Sequence, residues 1–150
     1  MIIAANIAGI AFGNVGGCHL THSFGHSLGA VFELHHGLCV GFFIPYTLQY
    51  CQNITNKHLA ICKTLDIPAP NAEEGLNNLV SKVRGLLTEL EVPLALKDFG
   101  ISKNDFKEQL PKLVEYAYGD VDTFLSPRPI TTEQCERFLK YAYEGKDIDF

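Results

Sequence analysis

Apolar residues run almost uninterrupted through the first third of the chain, and where polar residues break the pattern their spacing predicts helices. A first helix is expected from about Ile2 to Asn14, a second from about His19 to Phe32 and a third from about Gly37 to Cys51. Pro45 lies inside the third pattern and cannot donate to the Gly41 carbonyl, so a kink is expected there. A shorter helix follows from about Asn56 to Leu65. After Pro68 and Pro70 comes the most clearly amphipathic stretch, Ala72 to Leu90.

In that stretch Leu76, Leu79, Val80, Val83, Leu86, Leu87 and Leu90 recur at helical spacing, which predicts a core-facing stripe. Asn71 with Glu74 forms a capping-box variant at its start, and Pro93 follows its end. A sixth helix is expected from near Ser102 to Tyr118, with Pro111 marking a break or a fresh start. The last is capped by Thr131 with Gln134 and extends to about Glu144. No stretch has a convincing period of two and no repeat is visible, so the chain reads as one all-α domain over residues 1–150, a multi-helix bundle.

Charge changes this picture more than composition does. Among residues 1–56 the only formally charged side chain is Glu33. A third of a domain this bare of charge is expected to be buried, against a second copy of the chain or another polypeptide. Residues 1–18 are apolar, but no basic region precedes them, and Asn6, Asn14 and the glycines suit helix packing better than lipid, so no membrane partner is expected. The net charge of −5 argues against nucleic acid. Five cysteines with no Cys-x-x-Cys pair suit a reducing, cytoplasmic location.

The candidate chemistry is concentrated in one place. His19, His22, His26, His35 and His36 are five of the six histidines and fall within 18 residues. His22 and His26 are four apart and share a helix face, and His36 opens the next apolar segment, so a metal held between two helices is chemically reasonable. Spacing alone makes His22 and His26 both ligands. His19, three residues before His22, leaves a second set open: His19, His22 and His26.

At full length the pattern becomes more specific. The run Ala4 to Asn14 (AANIAGIAFGN), the run His22 to Ala30 (HSFGHSLGA), the pair His36-Gly37 and the pair Ile44-Pro45 together resemble the metal signature of iron-containing alcohol dehydrogenases. Pro127-Arg128-Pro129-Ile130-Thr131 resembles that family's Asn-Pro-Arg loop before its last helix, so the resemblance spans essentially the whole chain.

The resemblance implies the carboxy-terminal helical domain of the dehydroquinate synthase-like superfamily. It implies His22 and His36 as metal ligands, and it places His26 in the cleft near the nicotinamide, a catalytic and cofactor-binding role without metal ligation. The implied cofactors are Fe(II), with zinc as a substitute, and NAD or NADP held by an amino-terminal Rossmann-like domain. The family completes its metal site with an aspartate and a histidine four residues apart on an upstream helix. This sequence has no Asp before Asp66 and no glycine-rich phosphate loop.

The expectation is therefore the metal-binding part of an iron-dependent, NAD(P)-linked alcohol dehydrogenase for a small alcohol or aldehyde, inactive by itself. Its expected partner is the missing cofactor-domain half or a second copy in a homo-oligomer. A non-catalytic interaction module, or one subunit of a split dehydrogenase, is the alternative. A relative of glycerol dehydrogenase or dehydroquinate synthase ranks lower, because Leu38 follows His36-Gly37 where those carry glutamate. Two further departures from the family are His35, in the usual proline position beside His36, and Val40, in a usual asparagine position. Phe24, Phe32, Phe42 and Phe43 are candidates for lining the alcohol pocket, with plain core as the alternative.

Overall fold

The computed structural model describes residues 1–14, 18–52 and 54–150. Its helices are α1 (Ile2–Gly13), α2 (Leu20–Phe32), α3 (His36–Tyr50), α4 (His58–Thr64), α5 (Ala72–Glu89), α6 (Lys103–Gly119), α7 (Val121–Phe124) and α8 (Thr132–Glu144). A 3-10 turn, Leu96–Phe99, joins α5 to α6, and the described residues contain no strand.

Helices α2 and α3 pack on each other at the centre, with α6 against α2, α5 against α3, and α8 against α6. Leu20, Phe24 and Leu28 from α2 meet Cys39, Phe42, Phe43, Tyr46 and Tyr50 from α3, and α8 adds Phe138 and Leu139. Phe24 stacks on Phe138 with ring centroids 4.2 Å apart and planes 2° from parallel. Each fully buried aromatic of this kind stabilises the fold by about 1.5–3 kcal/mol relative to exposure. Phe24, Phe42 and Phe43 are thus core residues rather than pocket lining, and Phe32 packs partly buried against the same cluster.

Polar bonds fix the packing of α2. The Thr21 and Thr47 hydroxyls share a 2.7 Å hydrogen bond across α2 and α3, and the buried Ser27 hydroxyl donates to the Leu113 carbonyl of α6 at 2.7 Å. Gly25 lets α2 and α3 approach closely. A Cβ there would stand 2.7 Å from Val40 Cγ2 and 3.1 Å from both Val40 Cα and Val40 N. Glu33, in the left-handed region at φ 54°, ends α2 and turns the chain directly into α3.

The charge-poor third divides in two. Its α2 and α3 portion is buried by the chain itself, whereas α1 contains no buried residue, with Ile2 80% and Ile3 76% exposed. Burial of α1, expected against a second copy of the chain or another polypeptide, is thus not supplied by this chain's own helices. The cysteines are free thiols, and burial pushes Cys39 up to about 11 and Cys135 up to about 12. Neutral buried thiols of this kind act as small hydrophobes.

Three local expectations need correction. Helix α6 continues through Pro111 without a break, carrying Phe106, Leu110, Leu113 and Ala117 into the core on both sides of it. Burial of that apolar face offsets the hydrogen bond proline cannot donate. In α5 the buried stripe is narrower than its sequence pattern: Leu76, Leu79, Val80 and Leu87 are buried, but Leu86 and Leu90 are exposed because the helix meets α3 and α4 along one side only. Lastly, α7 and the 3-10 turn have no counterpart in the sequence reading, since segments of four residues are too short to show a period.

Candidate metal centre

The central packing brings three of the five clustered histidines together. The His22 ring lies 5.5 Å, centroid to centroid, from both His26 and His36, and His26 and His36 are 5.1 Å apart. His22 and His26 come from adjacent turns of α2, and His36 from the first residue of α3. The tight α2–α3 contact at Gly25, between the two α2 histidines, sets this proximity. Phe12, near the end of α1, reaches the same place, with its ring 6.4 Å from His22.

The other two histidines stand apart from this group. His35 is the exposed residue preceding α3, and its ring lies against Gly37, so nothing places it in competition with His36. His19 lines a separate cavity of about 180 Å3 with Thr47, Cys51 and His58, and its Nδ1 is buried with no hydrogen-bond partner among the described residues. Ring-to-ring proximity is thus found for His22, His26 and His36.

Two residues that sequence reasoning missed complete the cluster. His26 Nδ1 lies 2.8 Å from Asp120 Oδ2, across 94 positions of sequence. Metal-ligating atoms of His26, Asp120 and Asp122 all lie within 4.8 Å of one another. The Asp120-Val121-Asp122 pattern is a recognisable helix start, but nothing in it points to a histidine so far upstream. A groove of about 690 Å3 between Leu65–Pro68 and α5 shares no residue with this cluster.

The donor set suits a divalent transition metal. With metal–nitrogen bonds of about 2.0–2.1 Å, two imidazole rings sharing a tetrahedral metal have centroids about 5 Å apart, the spacing found here. Burial lowers the His22 pKa below its ordinary 6.5 and His26 lowers it further, while Asp122 acts in the opposite sense. The neutral imidazole so favoured is the metal-binding form. Imidazole is a ligand that iron(II) and zinc both accept.

The model of the Fe-containing alcohol dehydrogenase family, C-terminal, matches residues 1–143. The chain belongs to this family. It is 29% identical over 153 residues to the NADPH-dependent butanol dehydrogenase of Clostridium saccharobutylicum, covering 100% of this chain and 39% of that protein. It is 31% identical over 146 residues to the lactaldehyde reductase of Escherichia coli (strain K12), covering 95% of this chain and 37% of that protein. The chain thus spans well under half the length of these relatives.

Solved structures carry the same fold. A 1,3-propanediol oxidoreductase superposes with a TM-score of 0.74 at 18% identity, and the alcohol dehydrogenase from Oenococcus oeni with 0.74 at 20%. Each match covers 83% of this chain and 32% of the other. The all-α bundle is accordingly the carboxy-terminal domain fold of Fe-containing alcohol dehydrogenases. No helix among the described residues is long and apolar enough to cross a membrane.

Proposed function

We propose that this chain is the metal-binding portion of a cytoplasmic, NAD(P)-linked alcohol dehydrogenase that interconverts a small alcohol and its aldehyde, with His22 and His36 as metal ligands. The observation that carries the proposal is the convergence of His22 and His36 from two helices to 5.5 Å, within a family of iron-containing alcohol dehydrogenases. A bound Fe(II) or zinc ion supplies Lewis-acid stabilisation of the negative charge that develops on the alcohol oxygen.

The chain's own residues do the rest. His22 and His36 hold the ion from two different helices, so the α2–α3 contact fixes their relative position. His26, whose side chain is 42% exposed, is accessible from outside the bundle and suits a proton-handling role beside the reacting alcohol and nicotinamide. Two ligands make a weak site where tight ones use three or more, so the isolated chain is expected to bind metal loosely and to lack turnover. The exposed apolar surface of α1, at Ile2, Ile3, Ile7 and Ile10, supports a partner, either a cofactor-binding polypeptide or a second copy.

The test is equilibrium dialysis of the chain against Fe(II) or Zn(II), comparing metal bound by the wild type with that bound by His22→Ala and His36→Ala. Loss of bound metal in both variants is expected. Metal retained at wild-type level in either variant refutes that ligand, and NAD(P)-dependent alcohol oxidation by the purified chain alone refutes the predicted inactivity.

A further inference from the structure

We infer that Asp120 is a positioning residue that fixes the tautomer of His26, holding the proton on Nδ1 and leaving Nε2 as the lone-pair nitrogen. The geometry that carries this is the 2.8 Å contact between His26 Nδ1 and Asp120 Oδ2. A carboxylate is an acceptor only, so the ring nitrogen facing it carries the hydrogen, and in a neutral imidazole the other nitrogen is then bare.

Asp120 is itself held on every side. Its Oδ1 accepts from the Asp122 backbone N–H at 2.8 Å, capping α7, so its two oxygens are divided between the helix start and the histidine. The Thr123 hydroxyl, on a buried residue, donates to the Ala117 carbonyl at 2.6 Å and closes the turn between α6 and α7 around Asp120. The Asp120 side chain is 16% exposed. On the other side, the Ser27 hydroxyl bond from α2 to α6 holds the helix that carries His26. A residue that served only to cap a four-residue helix would have no need of an oxygen aimed at a ring on α2.

The chemical consequence depends on the function proposed above. A neutral His26 with a bare Nε2 can receive a proton or hydrogen bond from a hydroxyl but cannot donate one from that atom. Asp120 thereby commits His26 to the accepting role in alcohol oxidation. Without the carboxylate the ring can present Nε2–H, which is the wrong tautomer for that task.

Asp120→Asn separates the positioning role from the capping role. Asparagine caps a helix as well as aspartate, so its Oδ1 keeps the Asp122 N–H and turns its amide NH2 toward His26. Nδ1 must then accept, and the hydrogen moves to Nε2. The experiment is nitrogen-15 NMR of the histidine-labelled, metal-free chain at a pH where the rings are neutral, with His26→Gln to assign the signals. Circular dichroism monitors the fold.

The expected result is Nδ1–H in the wild type and inversion to Nε2–H in Asp120→Asn, with helix content unchanged. An Nε2–H tautomer in the wild type overturns the inference, as does a folded Asp120→Asn with unchanged His26 signals. If Asp120→Asn does not fold, the wild-type tautomer alone decides. Because the sample contains neither metal nor nucleotide, a failure of the ligand roles of His22 and His36 leaves this readout intact.

Discussion

Replacing Gly25 with alanine tests whether the α2–α3 contact sets both the stability of the bundle and the convergence of its histidines. The added methyl would stand 2.7 Å from Val40 Cγ2 and 3.1 Å from Val40 Cα and N. Valine is stiff about χ1 and the other two atoms are backbone, so the helices themselves must part by several tenths of an ångström. Overpacking of this kind costs about 1–3 kcal/mol. Alanine also gains up to about 1 kcal/mol of helix propensity over glycine, which partly hides the cost.

Gly85 supplies the correction, since it is exposed in α5 and a Cβ there meets nothing within 4 Å. Gly85→Ala should gain the propensity term with no clash, so the difference between the two variants isolates the overpacking. At about 2–4 °C per kcal/mol for a chain of this size, Gly25→Ala should melt about 2–12 °C below Gly85→Ala. Thermal unfolding by circular dichroism measures the gap, and Fe(II) or Zn(II) binding should weaken in Gly25→Ala alone. Equal melting temperatures would refute the close-contact argument.

Three further outcomes follow from the structure. Arg128 donates to the Tyr50 carbonyl at 2.6 Å and the Phe150 carbonyl at 2.8 Å and lies 4.2 Å over the Tyr50 ring, so Arg128→Ala should cost about 1.5–3 kcal/mol in urea unfolding, and an unchanged midpoint would contradict that role. Burial lowers the pKa of His19 from 6.5, against an opposing pull from Asp122, and burial with His26 lowers that of His22. The unfolded chain then binds more protons than the folded one as pH falls below 6.5, so this stability is fully present above 6.5 and is lost on acidification through the folded values. Urea midpoints across that range should fall toward acid, less steeply in His19→Gln; a rise toward acid would reverse the sign. Ile7→Lys, on the exposed α1, should leave the chain's own melting unchanged within about 0.5 kcal/mol. Marked destabilisation there would show that α1 is packed after all.

Much of the secondary structure was legible because its signals are local. Thr131 with Gln134 forms a full capping box at the start of α8, and the Asn71 side chain accepts from the Glu74 N–H at the start of α5. Period and capping chemistry sit within a few residues of each other, so a single strand of sequence contains them. The histidine cluster was only half legible. Four-residue spacing paired His22 with His26, whereas choosing His36 over His19 needed either the family pattern or the fold.

By itself the sequence determined an all-α domain, the positions of its longer helices, a charge-poor first third and a histidine-rich stretch on two of those helices. Tertiary structure decided what that stretch became. Packing α3 on α2 across Gly25 set His36 beside His22, the turn after α6 carried Asp120 to His26 from 94 residues away, and α1 was left outside the core. Helical period and capping depend on neighbours in sequence, while a shared hydrogen bond or metal site depends on neighbours in space, and only the folded chain supplies those.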